Sequence, residues 1–106
     1  MALVLEVRKL WTLGASTGIS TDVLRLDGMS REINCYMQTD GASTASLELM
    51  TARTSTGPWV TMGSSQSLST GSLVVVGFTG PYLFMAPRLI AINSTANQVF
   101  VELVGN

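Results

Sequence analysis

Period-two alternation constrains this chain more than any other feature. Leu3, Leu5 and Val7 alternate with Val4, Glu6 and Arg8, and Leu24 and Leu26 with Val23, Arg25 and Asp27. Ile33, Cys35 and Met37 interleave with Glu32, Asn34, Tyr36 and Gln38. Ala45, Leu47 and Leu49 do the same with Ser46, Glu48 and Met50, and near the end Val99, Val101 and Leu103 alternate with Gln98, Phe100 and Glu102. Successive side chains of a strand point to opposite faces, so this is the rhythm of half-buried antiparallel strands. No 11-residue window carries an apolar stripe at helical spacing free of Gly, Pro or Ser/Thr clusters. The sequence predicts strands and no appreciable helix.

Turn residues punctuate that pattern. Gly14 to Ser20 is polar and reads as a loop, and Asp27-Gly28 supplies the positive φ of a tight turn. Asp40-Gly41 does the same between 31–39 and 44–53, which read as the best-marked hairpin. Thr54 to Pro58 is a turn into a short strand around Trp59-Val60-Thr61-Met62, and Gly63 to Ser72 is a Ser/Gly-rich connection. Gly80-Pro81 is another turn, and Asn93 to Asn97 has the length of a hairpin loop joining 83–92 to 98–104. The expected fold is all-β, an antiparallel β-sandwich or jelly-roll of about eight strands in a single domain, 1–106.

Composition narrows the function. The 106 residues carry six basic and seven acidic side chains, a net charge of -1, 12% charged residues and no histidine, with a mean hydropathy of +0.37. A basic stripe for nucleic acid is lacking, so no nucleic-acid partner is expected. Without histidine and with the single thiol of Cys35, His/Cys zinc sites and Ser-His or Cys-His relays cannot be assembled within one chain. No run reaches the roughly 18 apolar residues of a membrane-spanning helix, and residues 1–13 lack the order of a signal peptide. So few surface charges protect a monomer poorly against association, and a homo-oligomer is expected.

Candidate sites are correspondingly few. Of the carboxylates, Asp27 and Asp40 precede glycines, where Asp stabilises turns, and the others are expected mainly at turns or on solvated strand faces. No calcium loop and no phosphate loop is present, so no cofactor and no metal is expected, and the chain is expected not to be an enzyme. Cys35 alternates with the inward set and reads as a small buried hydrophobe. Leu73 to Val76 is apolar on both faces, which fits either a central core strand or a strand with one face in a subunit contact. Pro87 interrupts the apolar run 83–92 and removes a ladder donor, which places it at an edge or bulge open to a partner. Tyr36, Phe84, Pro87 and Phe100 are the expected interface residues, with Tyr36 and Phe100 on outward faces.

One stretch adds a resemblance. Leu47 to Gly63, with Gly57-Pro58-Trp59-Val60 at its centre, resembles the strand, turn and W-V-x-x-G segment of small tailed-bacteriophage virion structural proteins. Thr79-Gly80-Pro81-Tyr82, the ending Val104-Gly105 and the segment Tyr36 to Gly41 are similar to further parts of that family, though Ser55-Thr56-Gly57 stands where its chains often carry an acidic turn. The resemblance implies a capsid decoration (cement) protein, with a tail or neck component as an alternative; the outward aromatics Tyr36 and Phe100 give a carbohydrate-binding, lectin-like module as a further alternative. It also implies localisation in the virion after synthesis in the host cytoplasm, contacts with the major capsid or other virion proteins, and a trimer in preference to a dimer.

Overall fold

The computed structural model describes residues 7–14, 17–40, 44–69, 72–92 and 98–105. Nine strands follow one another: β1 (Val7–Leu13), β2 (Gly18–Ile19), β3 (Leu24–Arg25), β4 (Ser30–Thr39), β5 (Ala45–Ala52), β6 (Val60–Leu68), β7 (Leu73–Pro81), β8 (Phe84–Ile92) and β9 (Val99–Gly105). One sheet has the order β1-β9-β4-β7; the other has β2-β8-β5-β6, with β3 also on β8. Every pairing is antiparallel. β2 and β3 take the same margin of β8 in succession, pairing with Arg88–Leu89 and with Phe84–Met85, so the two sheets offer eight strand positions. This is an all-β sandwich with jelly-roll connectivity, as the alternation predicts.

The alternation also places the core. Ile33, Cys35 and Met37 of β4 and Val99, Val101 and Leu103 of β9 are buried, and they meet Leu47 and Leu49 of β5 and Met85 and Leu89 of β8. Trp11 of β1 closes one side of this cluster, and its indole Nε1 donates to the Asp22 carbonyl at 2.6 Å. An indole buried in apolar surroundings needs such an acceptor. The bond ties the margin of the first sheet to the segment between β2 and β3.

Strand pairing departs from the sequence-based expectation in two places. Segments 31–39 and 44–53 are not a hairpin: β4 pairs with β7 and β9, whereas β5 pairs with β6 and β8. Segments 83–92 and 98–104 are likewise in opposite sheets, β8 beside β5 and β9 beside β1 and β4. The chain crosses between sheets at most connections, and β5–β6 is the hairpin that stays within one. There the Gly57 N–H donates to the Thr54 carbonyl at 3.2 Å, and Gly57 has φ 92°. Gly41 and Asn93 to Asn97, read as turns, lie outside the described residues. Three shorter readings also change. β6 continues through the Ser/Gly-rich stretch to Leu68, Gly18–Ile19 is a short strand, and Gly80–Pro81 ends β7 instead of turning.

Pro87 needs a further correction. It is fully buried within β8, flanked by β5 on one side and by β2 and β3 on the other, not at an edge. Its carbonyl accepts from Ser20 N–H at 2.9 Å, so that side of the residue faces the segment between β2 and β3. A strand residue points its N–H and C=O to the same side, so the missing donor also faces this gap and costs no bond to β5. The ladder tolerates proline because β2 ends opposite Arg88 and β3 begins opposite Met85.

Leu103→Ala should lower stability by about 2–5 kcal/mol, the range for emptying a buried leucine site. Urea or guanidinium unfolding monitored by tryptophan fluorescence checks this, and a loss well under 1 kcal/mol would contradict the packing of β9.

Candidate functional site

Strand register brings an exposed apolar face together on the outer side of the β1-β9-β4-β7 sheet. One row across it reads Leu10, Glu102, Tyr36, Val75 and the next reads Thr12, Phe100, Gln38, Leu73. Tyr36 and Phe100 therefore stand diagonally across the β4–β9 pair, a spacing within reach of aromatic side chains. They are 36% and 37% exposed, while Leu10, Leu73 and Val75 are 50–58% exposed. Leu10, Tyr36, Leu73 and Phe100, with Gln38 and Glu102, line a shallow groove of about 280 Å³. At one border Arg8 Nη2 meets Glu102 Oε2 at 2.9 Å, an exposed pair worth about 0–1 kcal/mol.

Of the four residues expected at an interface, two belong to this face. Phe84 lies at the start of β8 in the other sheet, half-buried and opposite Ala52 and Arg25. Pro87 is enclosed and presents nothing to a partner, which corrects its assignment as a contact residue. Sequence reading missed Leu10, Leu73 and Val75 as members of the face. The signal was present in Leu73 to Val76, apolar at both parities, which the structure resolves as a strand with Leu73 and Val75 outward and Val74 and Val76 inward.

Several charged side chains elsewhere are engaged in holding the fold. Asp27 Oδ1 accepts from Met29 N–H at 3.0 Å beside Gly28 at φ 75°, and its Oδ2 meets Arg31 Nη2 at 2.7 Å. Glu48 corrects the expectation of a solvated carboxylate. Its side chain is buried on β5, accepts from Arg88 Nη1 at 3.0 Å, and takes the Ser65 hydroxyl at 3.4 Å. Among the described residues no group of three or more His, Cys, Asp or Glu is arranged to hold a metal ion, and no helix is long and apolar enough to cross a membrane.

Comparison with known proteins adds a fold relationship. No family model and no curated protein matches the chain. A solved structure of Bacillus endospore appendages, described as a novel family of disulfide-linked pili, is similar with a TM-score of 0.52. The match covers 94% of this chain and 82% of that one at 16% sequence identity. At that identity the likeness concerns the fold alone.

Two titrations follow from these environments. The Arg31 guanidinium, then the Met29 N–H, hold the Asp27 carboxyl below its ordinary 3.8. The stabilisation is present above that value and is lost as pH falls through the depressed folded value. Asp27→Asn should therefore be less stable than the parent at neutral pH, and the difference should shrink in acid. Thermal melts across pH 7 to pH 2 check this, and a constant difference would contradict the pairing. Burial alone pushes the Cys35 thiol up to about 12. A thiol reagent at neutral pH should label it only after unfolding, and rapid labelling of the native chain would show that β4 is not packed as described.

Proposed function

We propose that this chain is a non-catalytic structural subunit that works by adhesion, with the outer face of the β1-β9-β4-β7 sheet as its contact surface. The observation that carries this reading is the grouping of Leu10, Tyr36, Leu73, Val75 and Phe100 on one exposed face. Exposed apolar side chains gathered on one face mark protein–protein contacts in folded domains, and here Glu102 and Gln38 stand among them as polar partners. The fold likeness to an appendage of disulfide-linked pili supports an assembling role. Copies of this chain would not be joined through Cys35, which is fully buried.

The finer reading places the subunit in a tailed-phage virion, as a decoration protein covering seams between shell subunits. Its support is the resemblance in residues 36–41, 47–63 and 79–82, which also favours a trimer. Mass spectrometry of purified particles from lysed host cells tests the placement, and absence of the chain from the particles would overturn it. Fibres in negative stain of the purified chain would favour an appendage subunit instead. A sugar-binding reading draws on Tyr36 and Phe100 sharing a groove with Gln38 and Glu102. A glycan array separates it, because adhesion to protein requires no glycan signal.

The purified chain at micromolar concentration should scatter light as a multiple of 11.3 kDa, and a mass of 11.3 kDa would overturn the adhesive reading. Phe100→Ser should weaken association through this face by about 1–3 kcal/mol, the scale for truncating a central interface aromatic. Its unfolding midpoint should change little, since Val99 and Val101 keep the inner row intact.

A further inference from the structure

A strand at a sheet margin presents a row of unpaired N–H and C=O groups. Folded proteins blunt such margins with short strands, charge, bulges or a covering segment. Three of the four margins here are treated in this way. β2 and β3 are two residues each. β1 carries Arg8 and Lys9, and the segment after β2 is fastened to it by Lys9 Nζ–Asp22 Oδ2 at 2.8 Å and by the Trp11–Asp22 bond. β6 is broken by a register shift opposite Glu48, where Gly63 has φ 67°. Such a bulge twists an edge away from further pairing.

Among the described residues, β7 has none of these devices. It runs nine residues in unbroken register with β4, from Ser30 opposite Pro81 to Gln38 opposite Leu73. It contains no charged side chain, and its one proline is its last residue. Its inward residues Val74, Val76 and Phe78 are only half-buried, whereas Ile33, Cys35 and Met37 of the adjoining β4 are fully enclosed. Among the described residues, the margin has neither a ladder partner nor the cover that would complete its inner row.

We propose that β7 pairs antiparallel with β7 of a second copy across a twofold axis, joining two four-stranded sheets into one of eight strands. The proposal rests on the self-associating reading above and names an additional surface for it. A second copy fits because Arg88 is the one charged residue between Arg53 and Glu102, so β6 and β7 offer a charged partner no complement. The same uncharged, regular edge is complementary to itself. Side chains keep to their own faces only where residues of equal parity oppose each other. With Val76 opposite its own copy, Val74 faces Phe78, Val75 faces Gly77 and Leu73 faces Thr79. The three half-buried side chains then cover one another, and Leu73 and Val75 extend the apolar outer face across the joint. The pairing is twofold, in contrast to the trimer that the resemblance favours.

The test weakens the outer-face contact first, so that the edge dominates the association that remains. Phe100→Ser at tens of micromolar should scatter light as twice 11.3 kDa. Adding Gly77→Lys should reduce the mass to 11.3 kDa with the circular dichroism spectrum unchanged. Gly77 is exposed, and a Cβ there meets only the Asn34 side-chain oxygen, at 3.4 Å. Thr79→Lys, also exposed and opposite Leu73 of the partner copy, should give the same loss if Gly77→Lys misfolds. In the Phe100→Ser protein, alternate amides of residues 73–79 should gain protection from hydrogen exchange with concentration, and lose it in the double variant. A monomeric Phe100→Ser chain, or a dimer that survives both lysines, overturns the edge pairing while an oligomeric parent leaves the adhesive reading standing. A monomeric parent chain overturns both.

Discussion

The contact between two inner faces, β4 and β9 on one sheet and β5 and β8 on the other, is what the rest of this structure depends on. Ile33, Met37, Val101 and Leu103 meet Leu47, Leu49, Met85 and Leu89, all essentially removed from water. Apolar burial contributes about 25 cal/mol per Å², so these four central strands supply most of what holds the sheets together. Strands outside them inherit less. Val74, Val76 and Phe78 reach the core from one side only, and Leu13 and Leu24 do so at the opposite margin. Edge strands differ in this respect: β1 and β6 still bury Trp11, Met62 and Leu68, whereas the inward residues of β7 stay half-buried.

Side-chain parity was legible in the sequence; strand partnership was not. Period two assigned Ile33, Cys35 and Met37 inward and Tyr36 and Phe100 outward, and the structure has them so. The same period is silent about which strand lies beside which. A short connection serves a hairpin and an arch between sheets equally well. Segments 31–39 and 44–53 therefore looked paired, when each closes a different layer. Pro87 was misread for a related reason. A missing N–H points to an edge only if every interior position needs that donor, and the gap between β2 and β3 removes the need. The Ser/Gly-rich stretch 63–68 concealed a strand because small polar side chains carry no apolar rhythm, although the backbone pairs throughout most of it.

Several of the charged groups that the sequence offers are spent on architecture. Asp27 ties a turn to Arg31, Asp22 fastens the segment after β2 to β1, and Glu48 neutralises Arg88 on the outer side of the second sheet. Burying Glu48 is tolerable because both of its oxygens have donors, Arg88 on one and Ser65 on the other. None of the buried side-chain polar atoms among the described residues is left without a hydrogen bond. Beside these matched buried groups, the exposed large apolar side chains Leu10, Leu73 and Val75 stand out on the outer face of the first sheet.

That surface and the fold's stability are coupled. Anything that binds the folded chain and not the unfolded one adds to stability by mass action. A margin that leaves Phe78 half-covered would gain cover from a copy paired along β7, and outer rows that expose Leu10, Leu73 and Val75 would gain it from a separate contact on the face of the sheet. The net charge of -1 sets little repulsion against that approach. More charge at β7 would protect the isolated subunit, as charge does at other sheet edges, and would remove the same cover from the assembly. Under the proposed edge pairing, the stability of each subunit would rise with the concentration of the chain.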